Sequence, residues 1–144
     1  MKQYPIRIFR GDNTERPFKI STAMEVMQNV SRNIQKELSF MEQDYAIVIE
    51  TVKNILALCS KQRDKSSRLY WRIGHELSGF LHRIDNLGFY LLNQNETFAR
   101  DIGIGKSSVD KIIAFNKRFE NIYWVDPSIQ WGKYRNNKVP MPEK

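Results

Sequence analysis

Apolar residues recur every three or four positions through most of this chain, and that spacing constrains the fold more than any other feature of the sequence. A period of 3.6 residues places such side chains on one face of an α-helix, which is then buried against other helices. The spacing predicts a first helix over residues 22–38, a second over about 43–60, and a third along "SRLYWRIGHELSGFLHRIDNLG" that ends with Gly88 as its C-terminal cap.

Two glycines interrupt the third predicted helix. Gly74 and Gly79 each cost a helix interior about 1 kcal/mol relative to alanine, so they indicate that a neighbouring helix or bulky aromatic side chains approach closely. At the N-terminus, "QYPIRIF" and "FKI" predict the two strands of a short hairpin. The predicted fold is therefore mainly α, a multi-helix domain with a small N-terminal β-hairpin and a C-terminal helix-turn-helix.

The helix-turn-helix is predicted from "ETFARDIGIGKSSVDKIIAF", with helices near 94–102 and 106–119. The motif needs a small residue inside its first helix, a glycine at the turn and apolar residues that fix the second helix to the core. Counted from Asn95 as the first position, the residues at those places are Ala99, Gly103, Ile104, Val109 and Ile112. An ordinary helical hairpin with a glycine cap is the alternative.

The same segment contains Gly105, Lys106 and Ser107, which resemble the second half of a phosphate-binding P-loop. In that motif a glycine would stand at position 100, where this chain has Arg100. A P-loop also follows a buried strand, whereas "LLNQNETFAR" is polar and helix-like. The sequence therefore favours the helical motif over a nucleotide site.

The chain carries 23 Lys and Arg against 16 Asp and Glu, a net charge of +7. Residues 1–60 hold 8 of these cations against 7 acids, whereas residues 61–144 hold 15 against 9. The positive charge is thus concentrated in the half that contains the predicted motif. Basic surfaces bind nucleic acids by releasing counterions, so this distribution favours a nucleic-acid ligand.

Patterns typical of other classes are absent from the sequence. His75 and His82 lie about 10 Å apart along one helix, too far for one metal ion. The single cysteine, Cys59, lies in an apolar stripe, which suggests a reducing cytoplasm and no intrachain disulfide. No apolar run is long enough for a membrane span or a signal peptide. We therefore expect no catalytic residues, no metal and no cofactor.

Three stretches, "LYWRIG" (69–74), "FYLLNQNETFARDIGIGKSSVDKIIAFNKRF" (89–119) and "IQWGKYR" (129–135), resemble the helical N-terminal domain of YhcG-like proteins. The similarity covers about residues 66–135. Members of that family continue into a PD-(D/E)xK nuclease domain, which is not expected within these 144 residues. The resemblance implies association with nucleic acid by the helical part and no nuclease activity.

Together these features predict a non-enzymatic protein that binds double-stranded DNA through the helix at 106–119, with a regulator or a targeting subunit as the candidate roles. Val109 and Ile112 are expected to face the core, which leaves a set of polar residues for bases and phosphates. The predicted nucleic-acid-binding residues are Lys106, Ser107, Ser108, Asp110, Lys111, Lys117, Arg118 and Arg100.

A protein-interaction adaptor or inhibitor module is the alternative, because Glu96, Asp101 and Asp110 dilute the positive field of the motif. A homodimer is a further option. The aromatic and basic segment that includes Trp131 and Arg135 is expected to fold over the core as a lid, with base stacking as the other option. We expect a single domain with four parts, an arm at 1–20, a helical core at 21–88, the motif and lid at 89–135 and a flexible tail at 136–144.

Overall fold

The computed structural model describes residues 8–10 and 34–140, and this part of the chain is mainly helical, as predicted. None of its helices is both long enough and apolar enough to cross a membrane. Two 3-10 turns lie at Arg63–Lys65 and Ile122–Trp124. The strands and helices are β1 (Ile8–Arg10), α1 (Ile34–Gln62), α2 (Ser67–Asn86), β2 (Phe89–Leu91), α3 (Gln94–Ile102), α4 (Lys106–Arg118) and α5 (Trp131–Arg135).

Helix α1 corrects one prediction. The sequence suggested a break between helices at 22–38 and 43–60, but the chain is helical without interruption from residue 34 to residue 62. No glycine or proline lies between Leu38 and Tyr45, and Met41 continues the buried stripe across the expected gap. Most of the first predicted helix, up to residue 33, lies outside the described residues.

The two strands form a small antiparallel sheet in which Ile8 is paired with Leu91 and Arg10 with Phe89. The second strand of the predicted hairpin, residues 18–20, lies outside the described residues. The sequence did not predict β2, which is a strand of only three residues after the turn at Gly88. Burial of Ile8, Phe89 and Leu91 attaches this sheet to the helical core.

The centre of the core is an aromatic group that joins the first three helices. The ring of Tyr45 on α1 lies 5.3 Å from that of Phe80 on α2 and 6.1 Å from that of Phe98 on α3. All three side chains are fully buried. The Tyr45 hydroxyl donates a hydrogen bond of 2.5 Å to Asp101 at the end of α3, which satisfies the only polar atom of that ring.

Helix α4 packs directly against α2 at Gly74. A Cβ at this position would lie 2.7 Å from Cβ of Asn116 and 2.9 Å from the carbonyl oxygen of Ile112, so only glycine allows this approach. Asn116 also donates a hydrogen bond to the Trp71 carbonyl oxygen. The prediction of a close neighbour is thus confirmed for Gly74. Gly79 has no such neighbour among the described residues, where a Cβ would meet only the side chain of Arg83.

The segment after α4 folds back onto α2 and α4, as predicted for a lid. Tyr134 is buried between Phe115 and Phe119, and Trp131 stacks on Tyr70 with ring centroids 4.4 Å apart. Hydrogen bonds from α2 hold its backbone, from Arg68 to Val125 and from Ser67 to Ile129.

Residues 136–140, the first part of the predicted flexible tail, contact the rest of the protein in this structure. Val139 packs against the same aromatic cluster, and Arg118 donates hydrogen bonds to Asn137 and to the Val139 carbonyl oxygen. These contacts place the segment firmly beside the end of α4. Residues 141–144 lie outside the described part of the chain.

Candidate nucleic-acid interface

Helices α3 and α4 are joined by three residues, and the geometry of the turn follows from its first glycine. Gly103 has φ of +90°, a conformation that side-chain-bearing residues rarely adopt. The N–H groups of Gly103 and Ile104 both donate to the Ala99 carbonyl oxygen, at 2.8 and 3.1 Å, which ends α3. Gly105 is extended and begins α4. The expected position of the turn glycine is confirmed.

The structure disfavours a P-loop at Gly105, Lys106 and Ser107. The segment before the turn is the helix α3, whereas a P-loop requires a strand there.

The sequence predicted correctly that Val109 and Ile112 are buried, whereas Ser108 and Asp110, expected to face outward, are half-buried. Val109, Ile112, Ile113 and Phe115 are buried, and Ala99 on α3 packs in the same cluster. Lys106, Ser107 and Lys111 are exposed. The apolar residues fix the orientation of α4, and this orientation determines which polar residues remain accessible.

The N-terminal end of α4 is suited to an anion. Its first turn contains no acidic residue, and Gly105 has no side chain with which to cap the free amides. The aligned peptide dipoles place a partial positive charge at this end. Lys106 and Ser107 are exposed beside it and add a cation and a hydroxyl group.

Asp110 has a structural role that the sequence did not predict. Its carboxylate accepts hydrogen bonds from Asn95 at 2.7 Å and from Lys106 at 3.1 Å, so it joins α3 to α4. These two hydrogen bonds hold the pKa of Asp110 below its ordinary value of 3.8, and the bond from Asn95 lowers it more than the bond from Lys106 does. Asp110 therefore stabilises the motif internally and balances the charge of Lys106.

The three remaining predicted cations differ in their surroundings. Lys117 is exposed near the end of α4. Arg100 is exposed and forms an ion pair with the neighbouring Asp101 at 3.0 Å. Arg118 is bonded to Asn137 and Val139 and lies over the ring of Phe119, so its guanidinium group holds the chain after α5. Of the predicted cations on α4, Lys106, Lys111 and Lys117 are exposed, and Lys106 is paired with Asp110.

Two arginines that were not in the predicted set lie beside this surface. Ser108 lines a cleft together with Arg135 of α5, and Arg135 also lines a second cleft with Arg63. The sequence signalled Arg135 only as part of the aromatic and basic segment. Arg63 gave no signal, because its position depends on how the end of α1 packs against α5.

The aromatic side chains of the lid are used mainly for packing. Trp131 is half-buried, with one ring face stacked on Tyr70 and the tilted ring of Phe115 at 5.0 Å. Tyr134 is buried. Tyr123 is the exception, at 77% exposure, with the guanidinium group of Arg68 over its ring. This arrangement favours the lid over a base-stacking platform.

Within residues 8–10 and 34–140, no group of three potential ligand side chains could hold a metal ion. His75 is exposed and stacks on Trp71, and His82 is exposed farther along the same helix. Burial raises the pKa of the Cys59 thiol to about 11, which keeps it protonated and weakly nucleophilic near neutral pH.

The fold and this surface define a mainly helical protein in which two helices, joined by a glycine turn, present an uncapped basic helix end. Comparison with protein-family models, with curated proteins and with solved structures finds no match.

Proposed function

We propose that the protein binds double-stranded DNA without catalysing a reaction, and that α3 and α4 act as a helix-turn-helix. The N-terminal end of α4 would enter the major groove, where the first residues of a recognition helix reach the edges of the bases. The resemblance of residues 66–135 to the helical domain of YhcG-like proteins is consistent with this role. A protein of this kind would act as a regulator or as a targeting subunit.

The observation that carries the proposal is the N-terminal end of α4. It combines first-turn amides that no described side chain caps, a positive dipole end, no acid in the first turn, and exposed Lys106, Ser107 and Lys111. Ser107 is suited to hydrogen bonding with a base or a phosphate, and Lys111 supplies charge to the backbone. In the complex, the Lys106 ammonium group would leave Asp110 to pair with a phosphate, or it would contact both groups at once.

Salt dependence provides the first test. Binding that neutralises about four to six phosphates gives a slope near −4 to −5 for log affinity against log salt. From about 50 to 200 mM salt this slope corresponds to a loss of several hundred-fold. The measurement is a fluorescence-anisotropy titration of labelled random duplex. No detectable binding at the low-salt end would refute the proposal.

Charge reversal on α4 provides the second test. Replacing Lys106 and Lys111 with Glu should abolish duplex binding and preserve the fold, because both side chains are exposed. The matched control reverses Lys36 and Arg72, which are exposed and lie outside α4. Equal losses in both variants would mean that only net charge matters.

A second candidate function, a protein-interaction module, is favoured by one observation on α1. Phe40 and Ile47 are exposed by 58% and 57%, and Leu58 by 43%. Spacings of 7 and 11 residues place these three apolar side chains along one side of the helix. Such a stripe fits a protein partner or a second copy of the chain.

An Ile47→Lys variant separates the two candidates. An interaction module predicts that the wild-type protein self-associates or binds a partner through this stripe, and that the substitution weakens this association. The DNA-binding proposal predicts that duplex affinity does not fall in the same variant. Analytical ultracentrifugation and the duplex titration measure the two outcomes.

A further inference from the structure

We propose that the cleft between the end of α1, the start of α2 and α5 binds a phosphate group through Arg63 and Arg135. In the context of the proposed function, on which this identification of the ligand rests, the group is a backbone phosphate of the duplex contacted by α4. The cleft has a volume of about 290 Å³, several times the roughly 30 Å³ that a water molecule occupies in the liquid.

The charges around the cleft carry the argument. Arg63 and Arg135 both line it, and within the described residues neither side chain has a hydrogen bond or an ion pair. No Asp or Glu is among the lining residues whose side chains the structure describes. An arginine that holds no other group retains its full set of planar donors for a phosphate, to which it binds in bidentate fashion.

The neutral groups of the cleft add no opposing charge. Burial raises the pKa of the Cys59 thiol to about 11 and also raises the pKa of the Tyr70 hydroxyl, so both remain protonated at neutral pH. Ser66, the N-cap residue of the 20-residue helix α2, lies in the wall as well. The positive end of that helix dipole therefore adds to the two guanidinium groups.

The position of the cleft connects it with α4. Arg135 also lines an adjoining cleft with Ser108 and Ile104, which belong to α4 and to the turn before it. A backbone phosphate near Ser108 would thus lie close to Arg135, and the chain of phosphates would continue towards Arg63. Packing of Trp131 between Tyr70 and Phe115 fixes the start of α5, on which Arg135 lies.

The test compares three double variants in the duplex titration. Arg63→Gln with Arg135→Gln should lower affinity about tenfold at 50 mM salt and reduce the salt slope by about one to two, since each phosphate contact contributes roughly 0.9. Arg63→Lys with Arg135→Lys should restore most of the slope. The control, Lys36→Gln with Arg72→Gln, removes the same charge elsewhere and should leave the slope within about 0.5 of the wild-type value. Wild-type slope in the first variant, or equal reductions in the first and the control, would overturn the duplex assignment while the proposed function stood.

A second measurement addresses the cleft without DNA. Inorganic phosphate is titrated at constant ionic strength, with chloride as the replaced ion, and the NMR signals of the Trp131 indole N–H and the Arg135 Nε–H are followed. Saturable shifts that disappear in the Arg63→Gln and Arg135→Gln variant support a phosphate site. If the wild-type protein does not bind duplex, such shifts assign the cleft to a free phosphate-bearing ligand, and their absence overturns the proposal.

Discussion

Replacing Gly74 with alanine tests the contact that positions α4. The added Cβ would lie 2.7 Å from Cβ of Asn116 and 2.9 Å from the backbone oxygen of Ile112, neither of which is the end of a flexible side chain. Overpacking of this kind costs about 1–3 kcal/mol, and the rigid neighbours place this case near the upper value. Alanine regains about 1 kcal/mol of helix propensity, so the expected net loss of unfolding free energy is about 2 kcal/mol.

The matched control is Gly79→Ala in the same helix. Among the described residues its Cβ would meet only the guanidinium end of Arg83, at 3.1 Å, and a small shift of this exposed group, which is paired with Asp44, relieves the contact. This variant should therefore gain up to about 1 kcal/mol from helix propensity. The two variants should differ by about 3 kcal/mol, or about 10 °C in melting temperature for a domain of this size.

Thermal and urea unfolding followed by circular dichroism measure this difference. The urea slope must remain constant between the variants for the comparison to report stability. A Gly74→Ala protein that melts at or above the temperature of Gly79→Ala would refute the close approach of α2 and α4.

Two other predictions concern the turn and its neighbouring carboxylate. Gly103→Val should lower the unfolding free energy by more than about 1 kcal/mol, because a β-branched residue is strained at φ of +90°. The control, Gly105→Val, is at φ of −73° and should be nearly neutral. Equal urea midpoints for the two variants would contradict this prediction. Asp110 has a lowered pKa in the folded protein, so the stability that it contributes is present above its ordinary pKa of 3.8 and is lost as the pH falls through the lower folded value. The stability difference between wild type and Asp110→Asn should therefore shrink below about pH 4, and a difference that persists unchanged to pH 2 would show that ionisation of Asp110 is not involved.

The sequence predicted the features that depend on local backbone chemistry. The bounds of α3 and α4 and the positive φ of Gly88 and Gly103 follow from glycine caps and apolar spacing. Both helices are short, and Gly103 and Gly105 mark the end of α3 and the start of α4. The buried face of α4 followed from the same spacing.

Features that depend on distant contacts were not predictable in the same way. The strand β2 is defined by its pairing with Ile8–Arg10, about 80 residues earlier in the chain, and three residues alone carry too little signal. Gly74 and Gly79 look equivalent in sequence, but five residues correspond to about 140° around a helix, so a single neighbour contacts only one of them. The uninterrupted helix α1 was missed because Met41 alone continues the apolar stripe between Leu38 and Tyr45.

At the candidate site, the sequence likewise does not show which cations are already paired within the protein. Counting cations in the sequence gives Lys106, Lys111, Lys117, Arg100 and Arg118, which at 0.9 per phosphate corresponds to a slope near −4.5. In the structure, Asp110 holds Lys106, Asp101 holds Arg100, and Asn137 with Val139 holds Arg118.

If these internal partners are retained in the complex, only Lys111 and Lys117 remain on α4, and the slope falls to about −2. Arg63 and Arg135, which lack such partners within the described residues, would raise it again to nearly −4. A slope near −4 that falls to about −2 in the Arg63→Gln and Arg135→Gln variant would therefore locate half of the phosphate contacts outside α4. A slope that stays near −4 in that variant would mean that the internally bonded cations exchange their partners for DNA.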